Sequence, residues 1–247
     1  MSVLNIEGGR KLSGEICVHG AKNSALPILA ATIAAQGRCE IHNCPHLSDV
    51  EAAGAILRWL GCSTSFSDGV FTVDSTGVNR CDIPEQLMRE MRSSIAFLGA
   101  LLTRTHKAQL SMPGGCELGP RPIDLHLDAL RRMGASVEER GGYIICSVDG
   151  RLTGCRVPLS FPSVGATENI MTAAATAKGT TVITNAAREP EISDLAAFLN
   201  ACGARISGAG GSTVVIEGVE RLGGCVHSVI PDRIEAATYM SAVTITG

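Results

Sequence analysis

The sequence predicts a layered α/β domain built from three copies of one strand-helix-strand-helix-strand-strand unit. Three observations carry this. The ending Leu-x-x-x-Gly closes an amphipathic segment three times, at Leu57 and Gly61, Leu130 and Gly134, Leu199 and Gly203, with spacings of 73 and 69 between the glycines. Short β-like runs stand before and after each segment, and an alanine-rich stretch lies upstream of each.

In the first copy the stretch 22–35 reads as a buried helix, because small residues pack closely and leave almost no polar face. Residues 39–43 read as a strand. Val50, Ala53, Ile56, Leu57 and Leu60 then share one helical stripe, with Ser48 and Glu51 as a capping box and Gly61 as a left-handed terminator. The run 70–73 belongs to a closing strand pair. The second copy repeats this with a helix at 93–103, a strand at 108–112, a helix ending at Gly134 and a strand at 143–148. The third has a helix at 164–178, a strand at 181–185, the stripe Ile192, Leu195, Phe198, Leu199 and Cys202, and a strand at 214–216. A fourth copy begins, since Leu222-Gly223-Gly224 echoes Leu12-Ser13-Gly14 and Leu152-Thr153-Gly154, and Asp232 with Glu235 caps a further helix. The chain is therefore expected to hold one whole domain and pieces of another, leaving apolar faces of 1–20 and 222–247 unburied.

Composition narrows the function. Among 247 residues, 45% are hydrophobic and 18% charged, with mean hydropathy +0.21, which excludes a disordered chain. Aromatics at 3% and a net charge of -3 exclude base-stacking platforms and a basic footprint, so no nucleic-acid partner is expected. Ten cysteines include no CxxC pair, which gives a zinc site or redox motif no support and suggests a reduced cytoplasmic protein with cysteines packed as small hydrophobes. The start MSVLNIEGG lacks a basic region followed by an apolar stretch, so no signal peptide is expected in it, and the longest weakly polar run, 24–35, is far too short to span a membrane.

Packing alone would keep the copies alike, so departures from the repeat mark candidate functional residues. Nine positions separate strand from stripe in copies one and three (Ile41 to Val50, Ile183 to Ile192), but thirteen in copy two (Leu110 to Ile123). The insertion falls in Pro113-Gly114-Gly115-Cys116-Glu117-Leu118-Gly119-Pro120-Arg121-Pro122. Glycines allow close backbone approach to a ligand, and a thiol beside a cation ionises easily; a flexible surface turn is the competing reading. Equivalent helix starts hold Lys22, Arg92, Val164 and Asp232. Lys22 with Asn23, and Arg92, thus point to phosphate or carboxylate recognition at helix N-termini, against the plainer reading of solvated cations. His126 takes the stripe position of Ala53 and Leu195, close to Asp124 and Arg121, as a site residue or a satisfied core histidine. The loop Asn185-Ala186-Ala187-Arg188-Glu189-Pro190-Glu191 is dense in charge, although a capped, solvated turn would look the same.

Together, Gly20-Ala21-Lys22-Asn23-Ser24-Ala25-Leu26-Pro27, Met91-Arg92-Ser93-Ser94, the Cys116 loop through His126, Ser163-Val164-Gly165-Ala166-Thr167-Glu168-Asn169 and the 185–191 loop resemble the UDP-N-acetylglucosamine 1-carboxyvinyltransferases, a family of enolpyruvyl transferases. The likeness runs from about residue 3 to Gly247. The sister 5-enolpyruvylshikimate-3-phosphate synthases share the fold but not the cysteine loop. The resemblance implies an inside-out α/β barrel of three βαβαββ repeats. It also implies transfer of enolpyruvyl from phosphoenolpyruvate to the 3-hydroxyl of UDP-N-acetylglucosamine with release of phosphate, opening peptidoglycan synthesis, with no metal or organic cofactor.

By motif, Lys22 and Asn23 would contact phosphoenolpyruvate, Lys22 supplying charge to its phosphate. Arg92 and Arg121 would bind anionic substrate groups, and Cys116 would be the general acid and the site of alkylation by fosfomycin. Arg121, Pro122, Ile123, Asp124, Leu125, Phe161, Pro162, Ser163 and Val164 would lie along the UDP-sugar. Some relatives carry lysine in place of Phe161, so stacking or packing would replace a charged contact there. Arg188, Glu189 and Glu191 would be architectural, with His126 a further support.

The resemblance also divides the chain: 1–20 as N-terminal strands of a second, mostly absent domain, 21–229 as the complete three-repeat domain, and 230–247 as the start of the second. The missing C-terminal half would supply an aspartate base and further arginines, so this chain alone is expected to be inactive. A stand-alone nucleotide-sugar-binding module is the main alternative, and a 5-enolpyruvylshikimate-3-phosphate synthase another.

Overall fold

The computed structural model describes residues 3, 5, 7–91, 93–111 and 123–246. The first unit contains α1 (Lys22–Ala31), β1 (Arg38–His42), α2 (Ser48–Trp59), β2 (Ser63–Ser67) and β3 (Val70–Asp74). The second has β4 (Asp82–Ile83), α3 (Glu85–Glu90), a 3-10 turn at Ser94–Ala96, α4 (Phe97–Thr105), β5 (Lys107–Ser111), α5 (Asp124–Arg132), β6 (Ser136–Arg140) and β7 (Tyr143–Ser147). The third runs through β8 (Arg156–Pro158), α6 (Val164–Ala174), β9 (Thr180–Thr184), α7 (Pro190–Ala201), β10 (Arg205–Ser207) and β11 (Thr213–Glu217). β12 (Val226–Ser228) and α8 (Arg233–Thr246) follow.

Three four-stranded sheets repeat one design, with orders β12-β1-β3-β2, β4-β5-β7-β6 and β8-β9-β11-β10. In each, the opening pair is parallel and the remaining pairs antiparallel. Alternate residues of β3, β7 and β11 point inward, burying Phe71 and Val73, Ile144 and Cys146, Val214 and Ile216, so each sheet covers the core from outside. The alanine-rich helices fill the inside. Residues 24–31 of α1 are all buried, as are 166–174 of α6. α4 and α6 approach so closely that a Cβ on Gly99 would stand 2.4 Å from the Asn169 carbonyl oxygen. The apolar stripes lie where the repeat puts them, since Val50, Ala53, Ile56, Leu57, Leu60, Ile192, Leu195, Phe198 and Leu199 are essentially buried. Each large side chain of this kind contributes about 1.5–3 kcal/mol.

Gly61, Gly134 and Gly203 end their helices with φ of 102°, 93° and 102°, the left-handed terminators expected. The capping box at Ser48 and Glu51 does not form. Val50 and Glu51 N–H both donate to the Leu47 carbonyl, so the helix starts one residue early and Ser48 sits inside its first turn. Glu51 instead pairs with His46 at 3.0 Å. The cap at α8 does form, with Asp232 Oδ1 accepting from the N–H groups of Ile234 (2.8 Å) and Glu235 (3.2 Å).

The first unit has no opening strand of its own among the described residues. Residues 7–19 form none and are exposed apart from half-buried Val18. β12 takes that place beside β1, pairing Glu40 with Val226, Ile41 with His227 and His42 with Ser228. The segment 222–247 is therefore not uniformly unburied. Leu222 and Val229 are 1% and 2% exposed, whereas α8 buries no residue and presents Ile234, Met240, Val243 and Ile245 to solvent. Among the described residues no helix is long and apolar enough to cross a membrane.

Candidate functional site

The site grows out of how the units begin their inner helices. A side chain at position 20 would stand 1.7 Å from the Asn43 carbonyl oxygen, so only glycine lets the chain enter α1 there. Asn43 itself ends β1 in the left-handed region (φ 51°) and donates from Nδ2 to the Val229 carbonyl at 2.9 Å. Asn185 does the same after β9 (φ 56°), donating to Leu159 at 2.9 Å. These turns thus hold the chain entering α8 and the chain entering α6 at matching places, with the Asn43 turn also packed against Gly20 before α1.

The starts of α1 and α6, with Ser93 before the 3-10 turn, meet at a cavity of about 340 Å³ whose lining includes Asn23, Ser93, Val164, Glu168, Glu189 and Arg233. A second cavity of about 450 Å³ shares Glu189 and Arg233 and adds Pro162 and Arg188. Neither α1 nor α6 carries an acidic residue in its first turn, so their positive dipole ends are not offset by their own carboxylates. Lys22 opens α1 half-buried, with Nζ 3.1 Å from Asp49 Oδ2. Ser163 is the N-cap of α6, and its Oγ accepts from Ala166 N–H at 3.3 Å, so the hydroxyl oxygen serves its own helix.

Glu191 is buried and accepts from Arg233 Nε at 2.9 Å, which fixes α7 to the start of α8. His126 is 5% exposed, with Nδ1 3.0 Å from Asn169 Nδ2, and burial pushes its pKa down to about 4. Nδ1 accepts from the amide, so His126 is a neutral core residue carrying its proton on Nε2. Asp124 is exposed at the start of α5 with half-buried Leu125 beside it, and Ile123 precedes them buried. Phe161 is 66% exposed. None of these four lines either cavity among the described residues. Arg92, Cys116, Arg121 and Pro122 lie outside the described residues.

Two residues of α6 matter more than their sequence context suggested. Burial raises the Glu168 carboxyl to about 8, with the charges of Glu191 and Glu189 adding to the shift. A carboxyl that holds its proton near neutral pH can donate a hydrogen bond or a proton into the cavity it lines. Asn169 accepts from Gly99 N–H at 2.6 Å and donates to the Ile95 carbonyl at 2.8 Å, tying α6 to the start of α4. The available signal was a Glu-Asn pair inside an otherwise apolar helix.

The model of the EPSP synthase (3-phosphoshikimate 1-carboxyvinyltransferase) family matches residues 6–247. The chain belongs to this family. It is 54% identical over 246 residues to UDP-N-acetylglucosamine 1-carboxyvinyltransferase 2 of Caldanaerobacter subterraneus subsp. tengcongensis, covering 100% of this chain and 59% of the relative. It is 52% identical to UDP-N-acetylglucosamine 1-carboxyvinyltransferase 1 of Symbiobacterium thermophilum, covering 98% of this chain and 56% of the relative. The crystal structure of the enolpyruvyl transferase NikO from Streptomyces tendae superposes with TM-score 0.84 at 29% identity, over 96% of this chain and 56% of that one. The fold is thus that of the enolpyruvyl transferases, and the chain spans little more than half the length of the relatives it matches.

Proposed function

We propose that this chain is the substrate-anchoring domain of a UDP-N-acetylglucosamine 1-carboxyvinyltransferase of peptidoglycan synthesis in the cytoplasm. The observation that carries the reading is the opening of the first turns of α1 and α6, neither with an acidic residue of its own, on one cavity that Glu168, Glu189, Glu191 and Arg233 also line, with Asp232 Oδ2 accepting from Lys22 N–H at 3.3 Å. The helix dipoles, with the cationic side chains around them offsetting the glutamates, receive the phosphate and carboxylate of phosphoenolpyruvate and the diphosphate of the sugar nucleotide. Lys22, adjacent in sequence to the cavity-lining Asn23 but not itself among the lining residues, supplies the cation, with Asn23 as a neutral hydrogen-bonding partner. Arg92 and Arg121 supply the remaining charge, and Pro162, Ser163 and Val164 border the nucleotide. Cys116, on its glycine-rich loop, protonates the enol carbon as the sugar hydroxyl adds and then assists loss of phosphate.

The acceptor's base and further phosphoenolpyruvate ligands belong to the portion of the relatives that this chain does not span. The exposed apolar side of α8 and the exposed residues 7–19 pack on that portion, and residues 21–229 form the self-contained unit.

The test separates binding from turnover. Purified chain is expected to be thermally stabilised by UDP-N-acetylglucosamine, by about 2.7 kcal/mol at 100 times the dissociation constant. It is expected to be alkylated at Cys116 by fosfomycin, and to release no phosphate from the substrate pair at an enzymatic rate. Full turnover by the chain alone refutes the division of labour. Stabilisation by shikimate-3-phosphate in place of the sugar nucleotide refutes the substrate assignment.

A further inference from the structure

Three cysteines remote in sequence meet where the domain closes on itself. The Sγ atoms of Cys39 in β1, Cys202 at the end of α7 and Cys225 just before β12 all lie within 4.8 Å of one another, those of Cys202 and Cys225 at 3.3 Å. Some point therefore lies within about 2.8 Å of all three sulfurs, close to the zinc–sulfur bond length of about 2.3 Å.

The internal repeat supplies the comparison. Cys225 accepts from Glu40 N–H, Cys155 from Val182 N–H and Cys81 from Gln109 N–H, so these three cysteines hold one position in the three sheets. The carbonyls of Cys202, Met133 and Leu60 likewise accept from Gly223, Thr153 and Asn79. The three equivalent groups are thus Cys81 with Ala108 and Leu60, Cys155 with Thr181 and Met133, and Cys225 with Cys39 and Cys202. Packing is satisfied by leucine or methionine beside alanine or threonine. At the β12 seam alone, all three positions carry thiols.

We propose that Cys39, Cys202 and Cys225 bind one thiophilic metal ion, of which zinc(II) is the type, clamping β12 to the first and third units. Thiolates are the ligands that select such ions. Cys39 and Cys202 are buried, while half-buried Cys225 gives an entry path and leaves a fourth position to solvent. Each thiol surrenders its proton to solvent on ligation.

The test titrates reduced full chain with zinc(II) against a chromophoric chelator, and with cadmium(II) for its thiolate charge-transfer absorption. One ion per chain is expected. Cys39→Ala and Cys202→Leu, which import the equivalents Ala108 and Leu60 of the Cys81 group, should weaken uptake at least about tenfold, the least that losing an outer metal-site partner costs. Cys225→Ala serves if Cys202→Leu does not fold, and Cys146→Ala should bind as wild type. No uptake by folded wild-type chain overturns the proposal. So does equal uptake by the ligand variants, or a Cys202–Cys225 disulfide in air-purified protein that takes up no zinc after reduction.

Discussion

His227 Nε2 lies 2.8 Å from Asp194 Oδ1, joining β12 to α7 at a buried contact. The other carboxylate oxygen of Asp194 accepts from the Ser24 hydroxyl and, at 3.2 Å, from Ile230 N–H. One side chain thus ties α1, α7 and the strand that completes the first sheet. Burial pushes the Asp194 pKa up, but the hydrogen bonds from His227, Ser24 and Ile230 outweigh it and leave the group lowered.

Asp194→Ala is expected to cost about 2–4 kcal/mol at pH 7, because it strands the buried Ser24 hydroxyl and the half-buried donors of His227 and Ile230. A lowered folded pKa stabilises above the ordinary aspartate value of about 3.9 and loses that contribution as pH falls through the folded value. The gap between wild type and variant in urea unfolding should therefore shrink on acidification. A gap that stays constant to pH 2 contradicts the assignment.

Glu168 has the opposite sign. Its folded pKa is raised from 4.5 to about 8, so its contribution is complete below the unfolded value and is lost as pH rises through the folded one. Wild-type stability should fall across that window, by at most about 1.4 kcal/mol per pH unit from this group. Glu168→Gln should remove the slope and be the more stable protein at pH 8. Parallel stability curves for the two proteins would count against a protonated Glu168.

Asn169→Leu should cost about 2–4 kcal/mol, since Gly99 N–H and the Ile95 carbonyl lose their buried partner together. Thermal unfolding measures it directly. A change below about 0.5 kcal/mol, the scale of a surface substitution, would mean that neither bond matters.

Lys22→Ala separates stability from binding. The Lys22–Asp49 pair is 43% and 31% exposed, so its loss should alter stability by less than about 1 kcal/mol. Phosphoenolpyruvate affinity should fall at least about tenfold, equivalent to about 1.4 kcal/mol. Isothermal titration that finds unchanged affinity would remove Lys22 from the site.

The residues of the candidate site were legible unevenly. Lys22, with Asn23, and Arg92 stood out because helix starts at equal places in a repeat should match unless they have a task, whereas Val164 became a candidate only through the family resemblance. Glu168 did not, because its perturbation comes from burial beside Glu189 and Glu191, which lie at the start of another helix. His126 looked suggestive beside Asp124 and Arg121, yet its hydrogen-bonding partner is Asn169, 43 residues away.

Periodicity alone determined the three units, their buried alanine-rich helices and their glycine terminators, since each of those features is set by residues within a few turns of one another. Two things waited for the tertiary structure. The opening strand of the first sheet comes from residues 226–228, nearly two hundred positions downstream, because parallel pairing depends on where the closed domain brings the chain back. The same closure gathers Cys39, Cys202 and Cys225, whose spacing carries no local signal, because proximity between remote side chains is decided by packing and not by period.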